Sequence, residues 1–163
     1  MANNSSELTY RKATLKDLPT LVELSKLQHK FHKDFSWYYV FKKNYEKDTK
    51  SFLKKAITSK KEFTLVAESA GEIKGFVHAT IKAGVPILEW KKVLWINDVF
   101  VKDELRGKGV GKKLFDEAIS FAQKNKIILV KLQTDAKNLL AENFYTRQGM
   151  EVLDKVWIMK VKQ

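Results

Sequence analysis

Apolar and polar positions change their period several times along this chain, and each change predicts an element. Leu8 to Ala13 alternates and predicts a first strand, while Thr14 followed by Asp17 three residues later forms a capping box at the start of a helix. Leu18, Leu21, Val22, Leu24 and Leu27 then recur at helical spacing, with Pro19 tolerated in the first turn. Phe31 to Tyr45 is rich in aromatics and lysine without a clean period, which predicts short helices or a loop and helix. Thr49 to Ile57 reads as a second helix with Phe52, Leu53, Ala56 and Ile57 inward. Phe63–Glu68 and Ile73–Ile81, around a turn containing Gly71, predict a hairpin. Lys82 to Lys92 is a connection, and Leu94 to Val101 is the next antiparallel strand. Val110, Leu114, Ala118, Phe121 and Ala122 mark a helix ending near Lys124, Ile127 to Thr134 a strand, and Asn138 to Gln148 a helix. Met150 to Val161 predicts a terminal pair of strands with a turn near Asp154 and Lys155. The order β-α-α-β-β-β-α-β-α-β-β implies an α/β or α+β fold, a mixed sheet with helices on both faces.

Composition narrows the choice. At 163 residues, 44% hydrophobic, the chain suits one domain over residues 1–163 with its own core. The absence of cysteine excludes disulfides, thiolate zinc sites and a cysteine nucleophile. His29 and His32 sit at i, i+3, but with His78 elsewhere and no third ligand nearby they read as surface residues, and no metal is expected. Met1 to Glu7 lacks a charged-then-apolar leader pattern, and no apolar run reaches the ~20 residues of a membrane span, so a soluble cytoplasmic protein with no membrane partner is expected. The formal net charge is +12, yet the lysines are spread over the whole chain as in a solvated surface. No nucleic-acid motif accompanies them, and nucleic acid is not an expected partner.

Candidate chemistry concentrates between Leu94 and Leu114, where an apolar strand runs into a glycine-rich basic loop and then a helix. Gly107, Gly109 and Gly111 leave backbone N–H groups uncovered, and the helix start adds its unpaired donors and dipole, which makes an anion site suited to phosphate. A dinucleotide fingerprint from Gly107 fails at Lys112, and a P-loop fails because Gly111 is followed by Lys112 and Lys113. What fits is Arg106-x-x-Gly109-x-Gly111 after the strand end Asp98-Val99-Phe100-Val101. This resembles the acetyl-coenzyme A signature R/Q-x-x-G-x-G/A of the GNAT family of N-acetyltransferases. A second segment agrees with the same family at the expected separation: Asn138, Ala141, Phe144-Tyr145 and Gly149-Met150. The diagnostic part is residues 94–150.

The resemblance implies a mixed, mostly antiparallel sheet and transfer of an acetyl group from acetyl-CoA to a primary amine by direct attack, without a covalent intermediate or a metal. It implies that Val99, Phe100 and Val101 offer strand backbone to the pantetheine arm. Arg106, Gly107, Lys108, Gly109, Val110, Gly111 and Lys112 would surround the pyrophosphate, and Asn138 would bond the pantetheine. Tyr145 matches the family's general acid, which protonates the coenzyme A sulfur; as a plain structural residue it would pack beside Phe144. Relatives often place acidic residues where Asn97 and Asp98 stand. Asn97 takes no proton, so Asp98 is either the base, directly or through water, or a strand carboxylate paired with a lysine or capping a turn, with Glu89 in reserve. A small-molecule amine or polyamine is the favoured acceptor; protein N-termini or lysines and a non-catalytic acetyl-CoA or nucleic-acid binding module are the alternatives. The aromatic segment Phe31 to Tyr45 is expected to line the acceptor side, or else to form core or a homodimer contact.

Overall fold

A five-stranded sheet in the order β1-β2-β3-β4-β5 carries the molecule, in a computed structural model describing residues 7–161. Its strands are β1 (Thr9–Lys12), β2 (Glu62–Ser69), β3 (Glu72–Ala83), β4 (Lys92–Val101) and β5 (Val130–Leu132). The first four pair antiparallel and only β4 with β5 is parallel. The helices are α1 (Leu18–Lys33), α2 (Tyr45–Thr58), α3 (Val110–Lys124) and α4 (Leu139–Arg147). The chain divides after Gln133 into two compact units, Met1–Gln133 and Thr134–Gln163, the second holding α4. The N-terminal stretch read above for a leader lies outside the described residues up to position 6.

Strand alternation sorts the first unit's core into two layers. Val66, Phe76 and Phe100 are consecutive cross-strand neighbours, and they pack with Leu18, Leu21 and Leu24 of α1 and Leu53 of α2. On the other face Phe63 stacks on Phe121 of α3 at 4.6 Å. Helices therefore cover both faces, as the sequence order implies. α3 sits close: a Cβ on Gly75 of β3 would lie 2.6 Å from the Phe100 carbonyl oxygen and 3.4 Å from Leu114 of α3, so only glycine fits there.

Several boundaries differ from the sequence expectation. α1 continues through Lys33 and residues 34–44 form turns rather than short helices, while α2 starts at Tyr45, where Glu46 and Asp48 favour the positive end of the helix. β5 is only three residues long, because Ile127 is used in capping α3, its N–H bonded to the Ala122 carbonyl. The expected terminal strand pair is not formed: residues 150–161 have no strand, and Val152, Val156 and Trp157 stand exposed, the last at 88%. Alternation marks the capacity to pair; a strand also needs a partner to take its backbone hydrogen bonds. No helix among the described residues is long and apolar enough to cross a membrane.

The entry into α1 is fixed electrostatically. Asp17 is buried and receives both terminal nitrogens of Arg11, at 2.8 and 2.9 Å, with the Thr14 N–H at 2.7 Å and hydroxyl at 3.0 Å. The Arg11 hydrogen bonds, seconded by Thr14 and opposed by burial, hold the Asp17 carboxyl at about 2, below its ordinary 3.8. A carboxylate lowered in the folded state stabilises it above the unfolded value, and that contribution declines as pH falls below about 4 and is gone once pH passes the folded value of about 2. At about 1.4 kcal/mol per pH unit, screened by the solvent around an Arg11 side chain 41% exposed, this amounts to about 1–2 kcal/mol. Asp17→Asn should therefore lower Tm at pH 7 by about 3–6 °C, with a difference from wild type that shrinks towards pH 2. Thermal melts from pH 7 to 2 check this; a pH-independent difference would contradict it.

Candidate active site

The register of β3 against β4 shifts by one residue at the centre of the sheet. His78 opposes Asp98, but the next pair is Ala79 with Ile96, so Asn97 is an extra residue in β4 and forms a bulge. Two successive side chains, Asn97 and Asp98, consequently lie on the face covered by α1 and α2. Asn97 donates its amide to the Thr80 hydroxyl at 2.7 Å. Thr80 donates in turn to Glu62 Oε2 at 2.5 Å, and the same oxygen lies 2.9 Å from His78 Nε2. The other imidazole nitrogen, Nδ1, is 3.5 Å from Asp98 Oδ2, too far for a good hydrogen bond but a close electrostatic contact. His78 is fully buried, the Glu62 side chain is 8% exposed and that of Asp98 24%, so the chain of polar groups runs from the interior to the surface and ends at Asp98.

Asp98 thus has a histidine at hand, where the sequence left a lysine or a turn as its structural partner. The same face carries His29 of α1, whose pKa burial pushes down and the Asp98 carboxylate pulls back up. His29 and His32 are not surface residues. His29 is half-buried, stacked on Phe41 at 4.7 Å with Tyr45 at its edge, and His32 leans on Tyr39 at 5.3 Å. Neither Glu62 nor Thr80 is distinguishable in sequence from an ordinary strand residue, and His78 reads as one of three scattered histidines. The available signal is a histidine at the centre of an otherwise apolar strand, where burial demands polar partners.

Beyond the bulge the strand leads to the anion loop. Pairing with β5 ends at Ile96 opposite Leu132, so the edge of β4 from Asp98 to Val101 has no strand partner on that side among the described residues. Phe100 and Val101 are buried and Val99 is half-buried. A 3-10 turn, Asp103–Leu105, then reverses the chain; Gly107 and Gly109 both adopt left-handed φ, +73° and +82°. Gly109 N-caps α3, and its carbonyl accepts the Lys113 N–H at 3.0 Å, which leaves the N–H groups of Val110, Gly111 and Lys112 without an acceptor inside the helix. Gly111 lies within α3 itself. Two of the loop's cations are held by carboxylates: Arg106 by Asp103 at 2.9 Å, and Lys112 by Asp116 at 2.7 Å. Arg106 also donates Nε to the Val101 carbonyl and places its guanidinium 5.6 Å from the centre of the Phe31 ring. The aromatic segment therefore borders the loop and, through His29, Asp98.

In the second unit Asn138 is buried and caps α4, its side-chain oxygen accepting the Ala141 N–H at 3.1 Å. Tyr145 is half-buried on that helix, edge-on to Phe144 at 5.1 Å.

The acetyltransferase (GNAT) family model matches residues 23–150, which contains the loop, the bulged strand and α4. The chain belongs to the GNAT family. Membership makes it an acetyl-CoA-dependent N-acetyltransferase. It is 34% identical over 105 residues to an uncharacterised N-acetyltransferase of Archaeoglobus fulgidus, covering 64% of this chain and 71% of the relative. A second uncharacterised N-acetyltransferase, of Methanocaldococcus jannaschii, is 30% identical over 95% of this chain, which spans 66% of that relative. Among solved structures, a predicted acetyltransferase of Clostridium acetobutylicum with acetyl-CoA superposes with a TM-score of 0.79 at 18% identity, covering 94% of this chain and 96% of the other. The aminoglycoside N-acetyltransferase AAC(6')-Iy in complex with CoA also gives 0.79, at 16% identity over the full length of both chains. At these identities the structures establish the fold alone.

The residues present fit a bound pyrophosphate in this GNAT protein. Backbone donors are collected at the α3 start, and no atom lies within 4 Å of where a Cβ on Gly109 would stand. The obstacle to replacing Gly109 is thus the left-handed backbone, which costs a β-branched residue about 1–2 kcal/mol, together with a side chain in the phosphate's path. Gly109→Val should weaken acetyl-CoA binding at least ~10-fold, equivalent to about 1.4 kcal/mol, with the fold retained by circular dichroism. Calorimetry measures the affinity, and an unchanged value would remove the loop from the coenzyme site.

Proposed function

We propose that the chain acetylates the primary amine of a small molecule by direct attack on acetyl-CoA, with Asp98 as the base and Tyr145 as the general acid, the whole of residues 1–163 acting as one catalytic domain. The observation that carries this reading is the position of Asp98. It is a part-exposed carboxylate at the outer end of a buried polar chain, on the strand that runs directly into the anion loop. An ammonium ion must lose a proton before its nitrogen has a lone pair to attack the thioester carbonyl, and a carboxylate at this place can take it, directly or through one water. Val99, Phe100 and Val101 would align the pantetheine arm along the open strand edge, and Arg106 to Lys112 would hold the pyrophosphate. Asn138, besides capping α4, would bond the pantetheine.

The role of Tyr145 rests on the family motif that it matches. A thiol has a pKa near ~8.5, so the departing thiolate is only moderately unstable at neutral pH and an acid assists its departure without being indispensable. On the acceptor side, Phe41 and Tyr45 would form an aromatic wall around His29, whose charge Asp98 influences. That wall suits a small amine with an apolar body better than a free polyamine, whose long-range approach a net charge of +12 opposes. The aminoglycoside acetyltransferase among the structural neighbours places aminoglycosides in the test panel.

Thiol release from acetyl-CoA, measured against arylalkylamines, polyamines, aminoglycosides, amino acids and lysine peptides, should show turnover highest on small amines. Coenzyme binding without turnover on any of these classes would instead support a binding module. Tyr145→Phe should lower kcat by roughly 10²-fold while leaving acetyl-CoA affinity nearly intact; wild-type kcat, under conditions where chemistry limits turnover, would return the ring to a packing role. Asp98→Asn should lower kcat/KM at neutral pH, with a deficit that narrows as pH approaches the amine's own pKa. Parallel pH–rate profiles with a lowered Tm would mark Asp98 as structural and redirect attention to Glu89.

A further inference from the structure

His78 is the most deeply buried ionisable side chain on this face, and the GNAT motifs do not include it. Glu62 of β2 holds its Nε2 at 2.9 Å, Asp98 of β4 faces its Nδ1 at 3.5 Å, and the Phe52 ring of α2 closes over it edge-on at 5.1 Å. His29 of α1 is also within the electrostatic reach of Asp98. With Glu62 ionised, the hydrogen bond at Nε2 requires that nitrogen to carry a proton, which fixes the tautomer. In the neutral imidazole the remaining lone pair, on Nδ1, is then directed at the Asp98 carboxylate. Two electron-rich groups face each other inside the sheet, with no solvent reaching the histidine to screen them. A proton between them removes the conflict, and the imidazolium so formed lies between two carboxylates.

We propose that His78, oriented by Glu62, is a positioning residue for the base: its Nδ1, facing the Asp98 carboxylate, takes up from it the proton that Asp98 removes from the amine. The inference rests on the assignment of Asp98 as base. An ammonium ion loses two protons in becoming an amide. In this scheme one passes to Asp98 and on to His78 Nδ1, the freed nitrogen forms the C–N bond as the C–S bond breaks, and the second ends on the coenzyme A sulfur. After the amide leaves, the stored proton returns through Asp98, the part-exposed end of the chain, to water. Thr80 completes the arrangement by donating to the same Glu62 oxygen that faces the imidazole, and Asn97 in turn donates to the Thr80 hydroxyl.

The test compares kcat/KM against pH on one good amine for wild type, Asp98→Asn, His78→Gln, Glu62→Gln and the double variant Asp98→Asn/His78→Gln, with Tm and acetyl-CoA affinity measured for each. Glu62→Gln keeps the size of the side chain and an acceptor for Nε2, and so guards against a His78 variant that fails to fold. His78→Gln and Glu62→Gln should each lower kcat/KM by ~10-fold or more, short of the ~10²-fold typical of a group that itself contacts the reacting atoms. They should displace the low-pH limb of the profile and leave coenzyme affinity unchanged, and His78→Gln should add nothing further to Asp98→Asn. If Asp98→Asn alters the profile but Glu62→Gln and His78→Gln do not, the proton store is overturned and the base assignment stands. If Asp98→Asn leaves the profile parallel to wild type, the base assignment fails and this inference fails with it.

Discussion

The site depends on one extra residue in β4. Without the bulge, alternation along β4 would keep Asp98 opposite His78 but turn Asn97 to the α3 face, away from Thr80, and bring the apolar Ile96 beside the polar groups of β2 and β3. With it, Asn97 and Asp98 share a face with Glu62, His78 and Thr80. A bulge leaves the ladder locally disrupted, and here the polar groups it aligns offset that loss. A register slip would present His78 to an apolar strand and leave Glu62 and Asp98 facing hydrocarbon, a loss of several kcal/mol for each unpaired charge. The bulge and the polar chain therefore specify each other. The same strand then loses β5 as a neighbour after Ile96 and, among the described residues, keeps an open edge on that side.

Charge is arranged on two scales. Over the whole surface the excess of +12 extends about a Debye length, ~8 Å, into physiological solution and favours a polyanionic coenzyme. Within the sheet, two carboxylates flank one imidazole in a nearly dry setting where ionic screening is weak. Long-range attraction thus favours the phosphates, while in the proposed reading the local field at Asp98 acts on the amine. A basic protein with an acidic centre needs no contradiction between these roles, because they act at different distances.

Most of the frame was legible in the sequence because it depends on short-range rules. The hairpin of β2 and β3, the length of α3 and the Asn138 cap of α4 follow from alternation, helical spacing and a side chain that competes for backbone N–H groups. The glycine turn into α3 was legible as well, and in the structure two glycines with left-handed φ stand directly before that amphipathic helix. The cluster around His78 was not. Its members come from three strands, 16 residues separating Glu62 from His78, and which of them touch is decided by a register that the bulge resets. The C-terminal strand pair fails for the converse reason: Val152 to Val161 carries apolar, strand-prone residues around Asp154 and Lys155, but pairing is a property of two segments, and residues 150–161 are not strand-paired in this structure. The aromatic segment was ambiguous because its rings stack on histidines and on one another, contacts with no sequence period.

Gly75 shows how far this site reaches into positions that carry no chemistry. Its hydrogen is the only substituent that fits between the Phe100 carbonyl and Leu114 of α3. A single methyl group at residue 75 would have to move either the end of β4 or the first turns of α3, and those two pieces frame the glycine loop between them. The spacing of the loop's anchors is thus set by the absence of an atom on a different strand. Substitution at this inert glycine in the middle of the sheet should accordingly be less tolerated than at many of the exposed lysines, and loss of activity by substitution there would carry no trace of a missing functional group.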